Sequence, residues 1–289
     1  MTRPEIRDLL DESRGDYRDE ARPRPVRTSL WHPSAPHDDA PPVVLLSHGT
    51  GGSAGQMAWL AEPLVAAGFL VLAVDHHGNN SLDDYLPQGF AFEWERPRDL
   101  SFALSVLASE RPLGPVGAAG FSSGGYTGAA LLGARLDRAV LRAVVDGRVR
   151  IPELPEFPGF LDALRTSVPA ERLERALADA GDDRSDSRVR AAFLVCPANG
   201  AMLTTESLAA IDRPVEIRWG GADTNTPPEE NALRYLDTVP TAGGRSAGPH
   251  VEHYHFLGDN PAGEETRRRV AAEAVDFFTA RLRTGLPTV

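Results

Sequence analysis

The chain has 289 residues, 42% of them hydrophobic, and a formal net charge of −11. That suffices for one large domain with a buried core, while the acidic balance argues against nucleic-acid binding and no run approaches the ~18 apolar residues of a membrane span. The polar start Met1-Thr2-Arg3-Pro4-Glu5 lacks the apolar core of a secretory signal, so a cytoplasmic location is the expectation.

Residues 1–24 are charged and weakly patterned. Ile6, Leu9 and Leu10 offer one short helical face, so this segment is expected to be an N-terminal arm, helical or loosely held. From residue 25 to 289, strands and helices alternate. Val26 to Trp31 reads as a strand. Val43 to Ser47 is a continuous apolar run typical of a strand buried on both faces. Residues 54–67 are helical, with Met57, Leu60, Leu64 and Val65 on one side. Phe69 to Val74 is a second buried strand, and residues 96–109 a second helix with Leu100, Leu104 and Leu107 in register. A strand through Val116, Ala118 and Ala119 runs into a small-residue helix. Strands at 190–197 and 215–219 and a helix at 264–283 complete the pattern. This order predicts an α/β chain with a mostly parallel central sheet flanked by helices. Residues 136–187 break the rhythm and read as a helical insertion, either a lid above the sheet or ordinary surface helices.

Between the strand through Val116 and its helix stands Gly120-Phe121-Ser122-Ser123-Gly124-Gly125. Strand, G-x-S-x-G and helix in that order describe a nucleophile elbow, which lifts a serine Oγ above the sheet at a helix N-terminus. The other reading is a glycine-rich turn with a capping serine. A serine nucleophile needs a base, an acid that orients the base, and N–H donors for the oxyanion. Asp223, after the strand 215–219, is the acid candidate, with Asp146 as rival. The base lies in His250-Val251-Glu252-His253-Tyr254-His255, where His253 is favoured over His255. Three histidines there also raise a metal site, but no carboxylate or cysteine ligand motif accompanies them, so none is expected. The oxyanion donors expected are the N–H groups of Ser123 and of Thr50, with Gly51 next, in the loop Ser47-His48-Gly49-Thr50-Gly51-Gly52. Asp75, His76, His77 and Asn79 are expected to border the pocket, holding that loop by hydrogen bonds rather than acting in catalysis. The 30 basic residues are all arginine, which removes Schiff-base, P-loop and Ser-Lys chemistry, and a single cysteine, Cys196, precludes an internal disulfide.

Ser47 to Gly52, Val74-Asp75-His76-His77-Gly78-Asn79, Arg96-Pro97-Arg98-Asp99-Leu100, the elbow, Gly221-Ala222-Asp223 and His253-Tyr254-His255-Phe256-Leu257 together resemble the dienelactone-hydrolase-like α/β-hydrolases. The branch it looks like includes bacterial relatives of platelet-activating-factor acetylhydrolase and of polyester-cleaving cutinases. The resemblance runs from roughly Arg27 to Arg281 and fails over the insertion. It implies a cofactor-independent hydrolase of small-molecule carboxylic or thioesters, through an acyl-enzyme on Ser122. Acyl transfer, elimination of a carboxylic acid and non-catalytic binding are the alternatives. Two departures stand out. True dienelactone hydrolases use cysteine where this chain has Ser122, and Glu252 stands where the branch often has a small residue.

Overall fold

The computed structural model describes residues 3–33 and 40–283. Eight strands form one sheet in the order β1-β2-β4-β3-β5-β6-β7-β8. They are β1 (Glu5–Gly15), β2 (Pro23–Trp31), β3 (Val43–Ser47), β4 (Leu70–Asp75), β5 (Val116–Phe121), β6 (Val189–Val195), β7 (Val215–Trp219) and β8 (Ala242–Ser246). From β4 to β8 the neighbours are parallel, and β1 and β2 close one edge antiparallel. Alternation explains the apolar runs. In β3, Val43 and Leu45 point into one core while Val44 and Leu46 point into the other. The second core is covered by α1 (Ala58–Ala66) and α10 (Glu264–Leu282). The first lies under α3 (Glu95–Glu110), α4 (Ser123–Ala130) and α9 (Ala232–Thr238), with α2 (Pro87–Ala91) and α8 (Thr205–Ala209) at its ends.

The N-terminal segment departs from expectation. Residues 5–15 are neither a helix nor a loose arm but the edge strand β1, with Leu9 opposite Val26 and Asp11 opposite Arg24. The apolar spacing 6, 9, 10 suits a helix locally. Pairing with the free edge of β2 overrides it, leaving Ile6 and Leu10 55% and 60% exposed. Buried ion pairs from Arg14 to Asp11 and Asp99, at 2.7 and 2.8 Å, pin the strand to α3.

Residues 136–187 hold α5 (Arg138–Val145), α6 (Phe160–Ser167) and α7 (Ala170–Asp179). Leu141, Val145 and Leu164 turn inward, so the insertion shares the core rather than merely flanking it. Among the described residues, no helix is long and apolar enough to cross a membrane.

Candidate active site

Ser122 sits between β5 and α4 with φ 55° and ψ −120°, a conformation that costs a non-glycine residue about 1–3 kcal/mol. Its N–H donates to the Val195 carbonyl at 2.9 Å, which ties the turn to β6. The flanking glycines are steric requirements. A Cβ on Gly120 would lie 2.1 Å from the Gly124 carbonyl oxygen, and one on Gly124 would lie 2.0 Å from that of Ser47.

The Ser122 hydroxyl lies 3.1 Å from His253 Nε2, and His253 Nδ1 lies 2.7 Å from Asp223 Oδ2. His253 opens a short 3-10 helix after β8, and Asp223 lies in the loop after β7. The distances assign the proton on Nδ1 to the Asp223 bond and leave the Nε2 lone pair facing the serine. Asp223 is 3% exposed. Burial pushes its carboxyl up, but the His253 hydrogen bond and charge and the Thr226 N–H and hydroxyl outweigh it, holding the carboxyl below its ordinary range. Thr226 was not singled out in the sequence. Its Oγ1 donates to Asp223 Oδ2 at 2.8 Å and its N–H to Oδ1 at 2.8 Å. Threonine three residues after an aspartate is a turn signature that could have flagged it.

The competing residues lie elsewhere. Asp146 is exposed beyond α5 and paired with Arg148 at 2.8 Å. His255 accepts the Glu252 N–H through Nδ1 at 3.0 Å, capping its own turn, and His250 is exposed. The three histidines therefore do not converge. Cys196, Asp223 and His253 do approach one another, within 4.8 Å. Burial, with Asp223 nearby, pushes the Cys196 thiol well up, which keeps it protonated and a poor metal ligand.

Beside the elbow, a Cβ on Gly49 would lie 3.3 Å from Ser122 Cβ, so the loop after β3 runs directly along the serine. The Gly51 N–H is committed to Asn79 Oδ1 at 2.5 Å. Among the described residues no partner takes the N–H of Thr50 or of Ser123, and their hydroxyls bond to each other at 2.7 Å. Two free N–H groups thus flank the serine at the N-terminus of α4, where negative charge is favoured.

Asp75, His76, His77 and Asn79 do not line the cavity, contrary to expectation; they lie behind the loop. Asp75 accepts the Ala54 N–H at 2.6 Å. His76 spans from Asp99 Oδ2 (3.0 Å) to the Ser47 hydroxyl (2.9 Å), and its backbone N–H donates to His48 Nε2. Arg96 donates to the His48 carbonyl and to Ser47. Asp99 gathers Arg14 and Arg24, each at 2.8 Å. The positions of His76 and Asp99 were visible as motifs; their joint role as footing for this loop was not.

Above the serine is a cavity of about 880 Å³. Leu141 and Val144 of α5 and Phe160 of α6 line it, together with Met57, Phe90 and Leu257. The insertion therefore supplies part of the cavity wall.

No family model and no curated protein matches the chain. Among solved structures, the chain resembles a ferulic acid esterase from Streptomyces cinnamoneus, at 18% identity and a TM-score of 0.63, over 97% of this chain and 90% of that one. It also resembles a cold-adapted esterase from an Arctic intertidal metagenomic library, at 16% identity and a TM-score of 0.56, over 96% of this chain and 94% of that one. The architecture is the α/β-hydrolase fold.

Proposed function

We propose that the chain is a serine carboxylester hydrolase acting on small-molecule esters. The observation that carries this reading is the hydrogen-bonded row Ser122–His253–Asp223 opening into a cavity beside two unpartnered N–H groups. That both solved relatives are esterases by name supports it.

In this mechanism His253 Nε2 takes the Ser122 proton as Oγ adds to the ester carbonyl. Asp223, kept ionised by its donors, orients the ring and stabilises the imidazolium. The N–H groups of Thr50 and Ser123 hold the oxyanion, each contributing about 10²–10³ in rate. The imidazolium returns its proton to the departing alcohol, leaving an ester on Ser122. Water, deprotonated by the same nitrogen, then releases the acid and restores the serine.

Mass spectrometry after treatment with a fluorophosphonate, together with release of p-nitrophenol from its esters, tests this. One adduct and turnover are expected, both lost in Ser122→Ala. Absence of both in the folded native chain overturns the reading.

A further inference from the structure

The charge lining the cavity is one-sided. Glu93, Glu153, Glu156 and Glu230 face it, and none of the 30 arginines does. A one-signed wall around a largely apolar space discriminates ligands by charge, most strongly at its buried members, where solvent screens least.

Glu93 makes this wall more than a surface accident. It is 8% exposed, its Oε2 has no hydrogen-bond partner, and it lines the cavity. A buried carboxylate oxygen without a donor is costly and is normally matched by something. The nearest polar side chains are those of Ser123 and Asn199, and the Asn199 amide nitrogen is itself unpartnered. Arg96, the neighbouring cation, does not line the cavity; it turns to Thr127, Ser47 and His48. Burial pushes the Glu93 carboxyl up, and the Arg96 charge with the Ser123 and Asn199 side chains offsets this only in part.

Glu156 adds a second anchor from the insertion. A Cβ on Gly51 would meet Glu156 Cγ at 2.9 Å and the Tyr85 hydroxyl at 2.8 Å, so the acid and the phenol close over the loop beside Ser122. Tyr85 and Tyr254 both feel the Glu156 charge and both line the cavity. Carboxylates beside phenol rings match an ammonium group, which draws on both ion pairing and the ring faces.

We infer that the cavity selects esters by charge. It takes those bearing a protonated amine or quaternary ammonium and rejects those bearing a carboxylate or phosphate, with Glu93 and Glu156 as the specificity determinants. This rests on the hydrolase reading above and names its substrate class.

The test uses p-nitrophenyl esters of three acids of matched shape: 4-trimethylammoniobutyric acid, its neutral isostere 5,5-dimethylhexanoic acid, and glutaric acid as the half-ester. The expected kcat/KM order is cation, neutral, anion, spanning about a hundredfold and expressed mainly in KM. In Glu93→Gln and in Glu156→Gln the cation-to-anion ratio falls by about fivefold or more. Equal rates for cation and anion, or a ratio untouched in both variants, overturns the inference. If no ester turns over and the fluorophosphonate does not react, the hydrolase reading falls by itself. The charge preference is then read by calorimetry with the N-methylamides of the same acids, where the same order supports it and equal or reversed affinity overturns it.

Discussion

At the scale of single residues, the site depends on atoms that do not touch a substrate. Thr226 Oγ1 donates to the same Asp223 oxygen that receives the His253 proton. Thr226→Val removes one charge-assisted hydrogen bond, worth about 1.5–3 kcal/mol. Ester turnover is expected to fall about tenfold or more in kcat, with KM little changed and the thermal midpoint lowered by a few degrees. An unaltered kcat would remove Thr226 from the account. The elbow glycines make a sharper case. Gly124→Ala drives a methyl against the Ser47 carbonyl at 2.0 Å, whereas Gly55→Ala meets nothing nearer than Ser53 Oγ at 3.8 Å. The first is expected to lose activity and at least about 1–3 kcal/mol of stability. The second is expected to stay within about 0.5 kcal/mol in a denaturant titration.

At the scale of elements, the antiparallel edge is what most separates the fold from its sequence. β3, β4 and the elbow are legible because their signals are local: apolar runs, punctuating prolines, and glycines flanking a serine. β1 is not legible, because its own apolar spacing suits a helix and its anchoring through Arg14 depends on residues some 80 positions away, Glu95 among them. β8, Ala242-Gly243-Gly244-Arg245-Ser246, carries no apolar pattern and is a strand only because β7 offers an edge. The Ser122, Asp223 and His253 positions follow from motif order, whereas choosing His253 over His255 requires the turn geometry that points His255 back at its own backbone. Arg14→Ala tests the edge. It leaves Asp11, Glu95 and part of Asp99 short of a buried cation, a loss of about 3 kcal/mol. A shift in the urea midpoint is expected, with turnover per folded molecule nearly kept. No shift would mean that β1 is held by backbone pairing alone.

At the scale of the whole molecule, the buried histidines set how the fold meets acid. Burial, then Arg96, pushes His76 down to about 3, and burial, with Arg96 and His76, pushes His48 well below the ordinary histidine range. His48 Nε2 must stay bare to accept the His76 N–H. The folded pKa therefore lies below the unfolded one, and as pH falls the unfolded chain binds the proton first. The stability contribution is full above about 6.5 and is lost as pH falls from there towards 3, at about 1.4 kcal/mol per pH unit for His76 alone. The Asp99 carboxylate, held well below its usual range mainly by Arg24 and Arg14 against burial, is lost only at still lower pH. Denaturant titrations between pH 7.5 and 4.5 are expected to show stability already falling near pH 6, above the range where carboxylates titrate. A flat profile down to pH 5 would contradict this, and His76→Gln should flatten a sloping one.

The serine and its base lie 131 residues apart along the chain, on opposite sides of β6, β7 and β8. In the proposed mechanism, a ribosome that has delivered the elbow has delivered an inert hydroxyl. Reactivity arrives only once the sheet has been extended strand by strand to its far edge and the turn at His253 has docked against Phe121, at a ring separation of 4.7 Å. A stalled or nicked chain lacking the segment after β8 carries the serine without its base.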